Sequence, residues 1–186
     1  MLAYAICGSF CNHANAIEQL KNLKELGYDI LPVLSENAAS LDTRFGLHDD
    51  LIKNTENICG KKAIRTIVDA EELSSKKAVD CVIVSPCTGN TLAKLANGIT
   101  DSTITMAVKA HLRNRKPVLL ALATNDALSA NFKNIAALYE KKHVFFVPIK
   151  QDDAMKKATS VICDFNLLPD ALYFALQGLQ MQPFLL

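Results

Sequence analysis

No stretch of this chain stays apolar for the length of a bilayer crossing, and no basic residue precedes its apolar start, MLAYAICGSF. Neither a membrane span nor a secretory leader is therefore expected, and the start reads as a first strand running into a Gly8-Ser9 turn. Charge of neither sign is in excess: 20 Lys and Arg face 19 Asp and Glu. That balance gives no footprint for nucleic acid and no acidic tail. None of the 6 cysteines forms a Cys-x-x-Cys pair, and no His-x₃₋₅-His spacing accompanies them. The usual zinc and disulfide-exchange frameworks are thus absent, no metal is expected, and a reducing, cytoplasmic compartment is. The chain also lacks Gly-x-Gly-x-x-Gly, which argues against ordinary dinucleotide binding. Repeats and low-complexity segments are absent as well.

What is present is a hydrophobic, alternating sequence. Half of the 186 residues are hydrophobic. This suits a single domain with a parallel sheet covered on both faces, or an obligate oligomer. Leu2–Cys7, Tyr28–Leu34, Asp80–Ser85, Val118–Ala123 and His143–Pro148 read as strands. Pro32 marks the second of these as an edge or irregular strand. Helices are expected from Asn12 or Asn15 to Gly27, over Asp49–Ile58 with Gly60 as the stop, over Thr91–Asn97, over Ser102–Asn114, through Phe132, Ile135 and Leu138, and over Leu168–Leu179. Residues 35–47 read as loop. Ala63–Val68 is open between strand and helix, and Ala70–Ser74 looks like a helical turn. Strands alternating with helices predict an α/β fold with right-handed crossovers.

In such a sheet ligands bind beyond the strand C-termini. Three polar turns fall there: Gly8-Ser9-Phe10, Ser85–Thr91 and Ala123–Asp126. The second is the richest. Ser85-Pro86 is expected to break the strand, and Ser85, Thr88, Asn90 and Thr91 then cluster at a helix start. A helix N-terminus there would offer amide donors and a positive dipole to an anion. Other candidates have plainer readings. The four histidines, His13, His48, His111 and His143, stand apart from any obvious carboxylate pattern and read as surface or structural. Cys87 reads as a small packing residue, Asp152-Asp153 as a helix cap, and Lys156-Lys157 as a solvated face. Arg44, with Thr43 and Phe45 in the 35–47 loop, could clamp a carboxylate through its guanidinium fork.

Residues 86–102, Pro-Cys-Thr-Gly-Asn-Thr-Leu-Ala-Lys-Leu-Ala-Asn-Gly-Ile-Thr-Asp-Ser, resemble the P-A-S-A-N-T…L-A-K-I-A-N-G…A-D-N block of the flavin-dependent cysteine decarboxylase superfamily. Leu122-Ala123-Thr124-Asn125 stands where that superfamily has P-A-M-N, and Ser35 stands at a hydroxyl position that contacts the flavin. Within it, the chain is similar to the family of dipicolinate synthase B subunits. The similarity rests on Asn-x-x-x-x-Asp-Thr-Arg-Phe-Gly at 37–46, Thr-Asn-Asp-Ala-Leu at 124–128, Phe-Phe-x-Pro at 145–148, Gln151-Asp152-Asp153 and Leu-Leu-Pro at 167–169.

The resemblance implies a three-layer α/β/α sandwich with a parallel, Rossmann-like or flavodoxin-like sheet. It implies an FMN pocket lined by Gly8, Ser9, Phe10, Ser35, Ser85, Thr88, Thr91, Ser102 and Asn125. Asn90 would position substrate and Arg44 would pair with a substrate carboxylate. The implied activity is oxidation of dihydrodipicolinate to dipicolinate in the mother cell of a sporulating bacterium. NADP would sit on the partner, the A subunit of dipicolinate synthase, and this chain would form trimers or multiples of them. The superfamily's catalytic histidine is replaced here, since Glu71, Glu72 and Leu73 occupy that region. Decarboxylation of a cysteine-type substrate and a stabilising role without flavin are the alternatives.

Overall fold

A computed structural model describes residues 1–73 and 79–186. In chain order the elements are β1 (Leu2–Ile6), α1 (His13–Glu25), β2 (Ile30–Leu34), α2 (His48–Cys59), α3 (Ile67–Glu71), β3 (Cys81–Cys87), α4 (Gly89–Ala96), α5 (Thr103–Leu112), β4 (Val118–Thr124), α6 (Phe132–Tyr139), β5 (Val144–Phe146), β6 (Ile149–Asp153), β7 (Lys157–Cys163) and α7 (Leu168–Leu176). Short 3₁₀ turns at Phe10–Asn12 and Phe165–Leu167 lead into α1 and α7.

The sheet has 7 strands in the order β2-β1-β3-β4-β7-β6, with β5 also paired to β4. The strands β1 to β5 are mutually parallel, which is the 2-1-3-4-5 order of doubly wound flavodoxin-like folds. Helix α1 packs with α2 and α7, whereas α4 joins α5 and α6, and α3 joins α5. The inner strands are buried along their whole length, as continuous apolar runs covered on both faces should be. Tyr4 lies inside this core, its hydroxyl 2.7 Å from the Ala16 carbonyl.

Two expectations need correction. The sheet is mixed, because β6 and β7 form an antiparallel hairpin that joins β4 through Ala123 and Thr124. Its first strand, Ile-Lys-Gln-Asp-Asp, buries only Ile149, so it carries no apolar alternation to read. Asp153 is the acceptor for the Met155 and Lys156 amides in the hairpin turn and caps no helix. The second correction concerns β3. It does not stop at Ser85-Pro86 but runs to Cys87, with a register shift on β4 between Val84 and Cys87. Proline has no N–H for the ladder, and the strand steps past it.

Elsewhere the punctuation holds. Gly60 ends α2 in the left-handed region at φ 66°, where glycine has no Cβ penalty. Ser102 and Thr105 form a reciprocal capping box at the start of α5. The open stretch at 63–68 becomes a bridge at Ile64 and the start of α3, and Ser74 lies outside the described residues. Strand β2 is an edge strand, as Pro32 implied. Its outer side is closed by Ile64, which donates to the Pro32 carbonyl at 2.9 Å and accepts from the Leu34 amide at 2.9 Å. The β5 edge is closed by Gln180, whose side chain bonds both backbone groups of Phe146 at 2.8 Å. On β6, Ile149 exchanges backbone bonds with Phe184 and Leu186 of the C-terminal segment.

Candidate functional site

The strand order reverses between β1 and β3, so the crevice of this fold should open where those two strands end. Two adjoining cavities lie there, of about 530 Å³ and about 410 Å³. Gly8 and Thr88 line both. The larger is walled by Ser9, Phe10 and Phe45 on one side and by Ala123, Asn125 and the β7 residues Val161 and Ile162 on the other. The smaller is hydroxyl- and amide-rich, with Ser35, Asn37, Asn90, Thr91 and Ser102. All three polar turns predicted at strand ends therefore meet at one place.

The hydroxyls differ in what they have to spare. Thr88 caps α4: its Oγ1 accepts from the Thr91 amide at 3.1 Å and donates to Thr91 Oγ1 at 3.0 Å. Ser102 is engaged in its capping box. Ser9 accepts one bond, from Asn12 Nδ2 at 3.0 Å, and Ser35 accepts one, from the Ala38 amide at 3.2 Å. Each keeps its O–H for a ligand. The amides of Gly89 and Asn90, ahead of the first intrahelical bonds, are further donors. Two carboxylates at the smaller cavity are already matched. Glu36 accepts from both the amide and the hydroxyl of Thr103 at 2.7 Å. Asp101 accepts two bonds from Lys94, which hold its carboxyl below the usual range.

Two glycines shape the crevice. A Cβ on Gly8 would meet nothing closer than Asn37 Cβ at 3.4 Å, and the residue's φ lies outside the glycine-favouring region. Neither packing nor backbone strain demands glycine there; an added methyl would sit in ordinary contact with Asn37 and Phe10 on the wall shared by the two cavities. Gly89 is the opposite case. A Cβ there would overlap Thr124 Oγ1 and stand 2.6 Å from Asp126 Oδ1 and 2.7 Å from Asn131 Nδ2. Those atoms form one network: Thr124 donates to Asp126 at 2.5 Å, Asn131 donates to Asp126 at 2.9 Å, and Asn134 donates to Asn131 at 2.8 Å. The Thr124 hydroxyl, chiefly, holds the Asp126 carboxyl below its ordinary value.

Of the predicted site residues, Gly8, Ser9, Phe10, Ser35, Thr88, Asn90, Thr91, Ser102 and Asn125 line the two cavities. Ser85 does not. It is fully buried, with its Oγ 3.0 Å from the Tyr4 hydroxyl, because the β3 extension to Cys87 turns it into the core. Arg44 is exposed and lies over the Phe45 ring at 4.8 Å, outside both linings. Cys87 is a packing residue, its thiol pushed well up by burial. His13 donates its Nε2–H to the Cys7 carbonyl, 2.8 Å away, and burial lowers its pKa. Among the described residues no cluster could hold a metal ion. The reading of the histidines missed one pairing. His48 Nδ1 is 2.7 Å from Asp42 Oδ1, a partner six residues back across a loop that no helical or strand spacing would bring to notice.

Five parallel strands whose order reverses at β1 and β3, with a hydroxyl-lined crevice at that point, define a doubly wound, flavodoxin-like class of protein. Residues 2–165 match the Flavoprotein family, and the chain belongs to it. It is a homologue of the dipicolinate synthase B subunit of Bacillus subtilis (strain 168), 40% identical over 184 residues that cover 99% of this chain and 92% of that one. The crystal structure of the dipicolinate synthase B subunit from Bacillus halodurans superposes with a TM-score of 0.91 at 35% identity, covering 100% of this chain and 95% of that one. The FMN-dependent cysteine decarboxylase SpaF shares the fold, with a TM-score of 0.71 at 23% identity over 95% and 94% of the two chains. The resemblance read from residues 86–102 and 37–46 is thereby borne out. No described helix is long and apolar enough to cross a membrane.

Proposed function

We propose that this chain is the flavin-holding B subunit of a dipicolinate synthase, an oxidoreductase that converts dihydrodipicolinate to dipicolinate in a sporulating cell. The observation that carries the reading is the pair of joined cavities at the β1/β3 reversal, in a chain homologous to such a protein over 99% of its length. The donor set fits FMN. Ser9, Ser35, Asn37, Asn90 and the α4 amides suit a phosphate and polyol; of the carboxylates beside them, Asp101 is paired with Lys94 and Glu36 is hydrogen-bonded by Thr103. Phe10, Phe45, Ala123, Val161 and Ile162 give the larger cavity the flat apolar walls that a tricyclic ring requires. A bound flavin supplies two-electron redox chemistry. The protein's share is orientation: aromatisation of the pyridine ring drives the dehydrogenation, so donor and acceptor chiefly need to be held in line.

In this reading Asn90 contacts substrate, Arg44 swings from Phe45 to a substrate carboxylate, and the synthase's A subunit brings NADP. The chain works in the cytoplasm as a homo-oligomer, trimers or multiples of them. The test is an absorbance scan between 350 and 500 nm after FMN addition and gel filtration, followed by dipicolinate formation with and without the A subunit. Retained flavin bands and turnover only in the mixture of both chains support the reading. A colourless chain that still raises the activity of its companion replaces it with a stabilising role, and carbon dioxide release from a cysteine-type substrate replaces it with a decarboxylase.

A further inference from the structure

A third cavity, of about 430 Å³, lies between α1, α2 and the 35–47 loop, and it shares Phe10 and Phe45 with the larger cavity of the crevice. His48, the first residue of α2, stands on its wall with side-chain exposure of 29%. Asp42 Oδ1 receives both His48 Nδ1–H at 2.7 Å and the His48 backbone N–H at 3.0 Å. These two bonds fix the ring and place its proton on Nδ1, which leaves Nε2 as the basic atom. Asp49 Oδ1 lies 3.5 Å from Nε2, near enough to steady an imidazolium. A carboxylate hydrogen-bonded behind Nδ1, with Nε2 on the cavity side and Asp49 no closer to it than 3.5 Å, is the arrangement of an oriented general base.

We propose that His48, oriented by Asp42, is the proton acceptor of the dehydrogenation, an inference that rests on the dipicolinate synthase reading above. In that step one ring C–H of the dihydropyridine leaves with its electron pair as hydride, passed on to the oxidised nicotinamide that the partner chain brings. The neighbouring ring carbon loses its proton to Nε2, and the electrons of that C–H bond become the new ring double bond. Dihydropyridine, oxidised nicotinamide and neutral His48 give pyridine, reduced nicotinamide and imidazolium, which then releases its proton to water. Phe45 lines both the cavity of the base and the crevice, and Arg44 above it offers a cation for the substrate's carboxylate. The other groups facing His48 are Asp42, Asp49 and Asp50 on the loop and α2, and His13 on α1, whose pKa burial lowers.

Asp42 also fastens the start of α2, where Leu47 makes no side-chain cap, so the test separates fastening from proton transfer. In the reconstituted enzyme of both chains, His48→Gln should lower kcat at least about 100-fold, the lower end of general-base effects, with KM within about threefold and flavin retention unchanged. The acidic limb of the kcat profile should disappear, and imidazole should restore part of the activity of His48→Ala. Asp42→Asn should cost about tenfold and keep the limb. His48→Gln with kcat within threefold of the parent, or a His48→Ala loss that imidazole does not relieve while the variant stays folded, overturns the proposal. An inactive parent mixture would instead overturn the reading beneath it. A second readout then decides the geometry in the chain alone: added dipicolinate should shift the His48 ring resonances saturably and leave those of His143, at the other end of the sheet, unmoved. Unmoved His48 resonances at saturating dipicolinate reject the proposal.

Discussion

Replacing Gly89 by alanine adds one methyl group at the tightest point of the crevice. The new Cβ would overlap Thr124 Oγ1 and crowd Asp126 and Asn131 at 2.6 and 2.7 Å. None of these is the free end of a flexible chain. Each is held by the next, from Thr124 through Asp126 and Asn131 to Asn134. Relief therefore requires α4 to move off β4 or the Thr124–Asp126 bond to break. Overpacking of this kind costs about 1–3 kcal/mol, and a lost hydrogen bond about 1 kcal/mol. Alanine's better helix propensity returns less than about 1 kcal/mol at this first helical position. The net expectation is a loss of about 2 kcal/mol, or a fall in Tm of roughly 4–8 °C for a chain of this size. Thermal unfolding of the flavin-free variant, followed by circular dichroism, measures it. Adding Thr124→Ala should recover part of the loss, giving a coupling of about 1 kcal/mol in the double-mutant cycle. A Gly89→Ala protein melting within about 1 °C of the parent, or a double variant whose losses merely add, refutes the packing argument.

Gly8→Ala puts its methyl in unstrained contact with Asn37 and Phe10 on the wall shared by both cavities, so FMN affinity should fall at least about tenfold, the equivalent of about 1.4 kcal/mol, while the flavin-free Tm stays put. A titration of FMN fluorescence quenching reads this, and unchanged affinity would place the flavin elsewhere. Ser85→Ala should do the reverse, costing about 1 kcal/mol of stability through its contact with buried Tyr4 and leaving flavin binding within twofold. His111 supplies a pH signature. It is fully buried, its ring nitrogens lie near the Asp80 and Pro117 backbone without a well-formed bond, and burial, then the Lys116 charge, hold its pKa down to about 4. A histidine depressed in the folded state contributes stability that is complete above its unfolded value and drains as pH falls from about 6.5 towards 4, by at most about 1.4 kcal/mol per unit. Urea titrations at stepped pH should show that slope in the parent and a flatter one in His111→Leu. Parallel slopes would assign the acid lability to other groups.

The parts of the fold legible in the sequence were those in which burial writes a pattern. The parallel strands are apolar runs because helices cover both faces, and Pro32, Gly60 and Ser102 mark an edge, a stop and a cap for reasons that act within a few residues. The β6–β7 hairpin was not legible, since a solvated strand such as Lys150–Asp153 has no buried face to alternate with. The crevice was legible as three polar strand ends, because topology alone brings such ends together. What sequence could not supply was the direction of each side chain. Ser85 and Thr88 sit three residues apart in one hydroxyl-rich turn, yet one faces the core and the other the crevice. The Asp42–His48 pair closes across a loop, where spacing carries no periodic signal.

The closed strand edges bear on how copies of this chain can associate. Ile64 occupies the outer side of β2 beside an N–H-less Pro32, the Gln180 side chain occupies β5, and the C-terminal segment takes the start of β6, whose remainder presents Lys150, Asp152 and Asp153 to water. Among the described residues the outer side of β6 beyond Ile149 is the ladder left to a neighbouring molecule, and it carries charged residues. Growth of a continuous sheet from molecule to molecule is thereby disfavoured in the folded state. Copies that do assemble must meet through helical faces and loops, so the number of chains in a particle is set by closed surfaces and not by open-ended stacking.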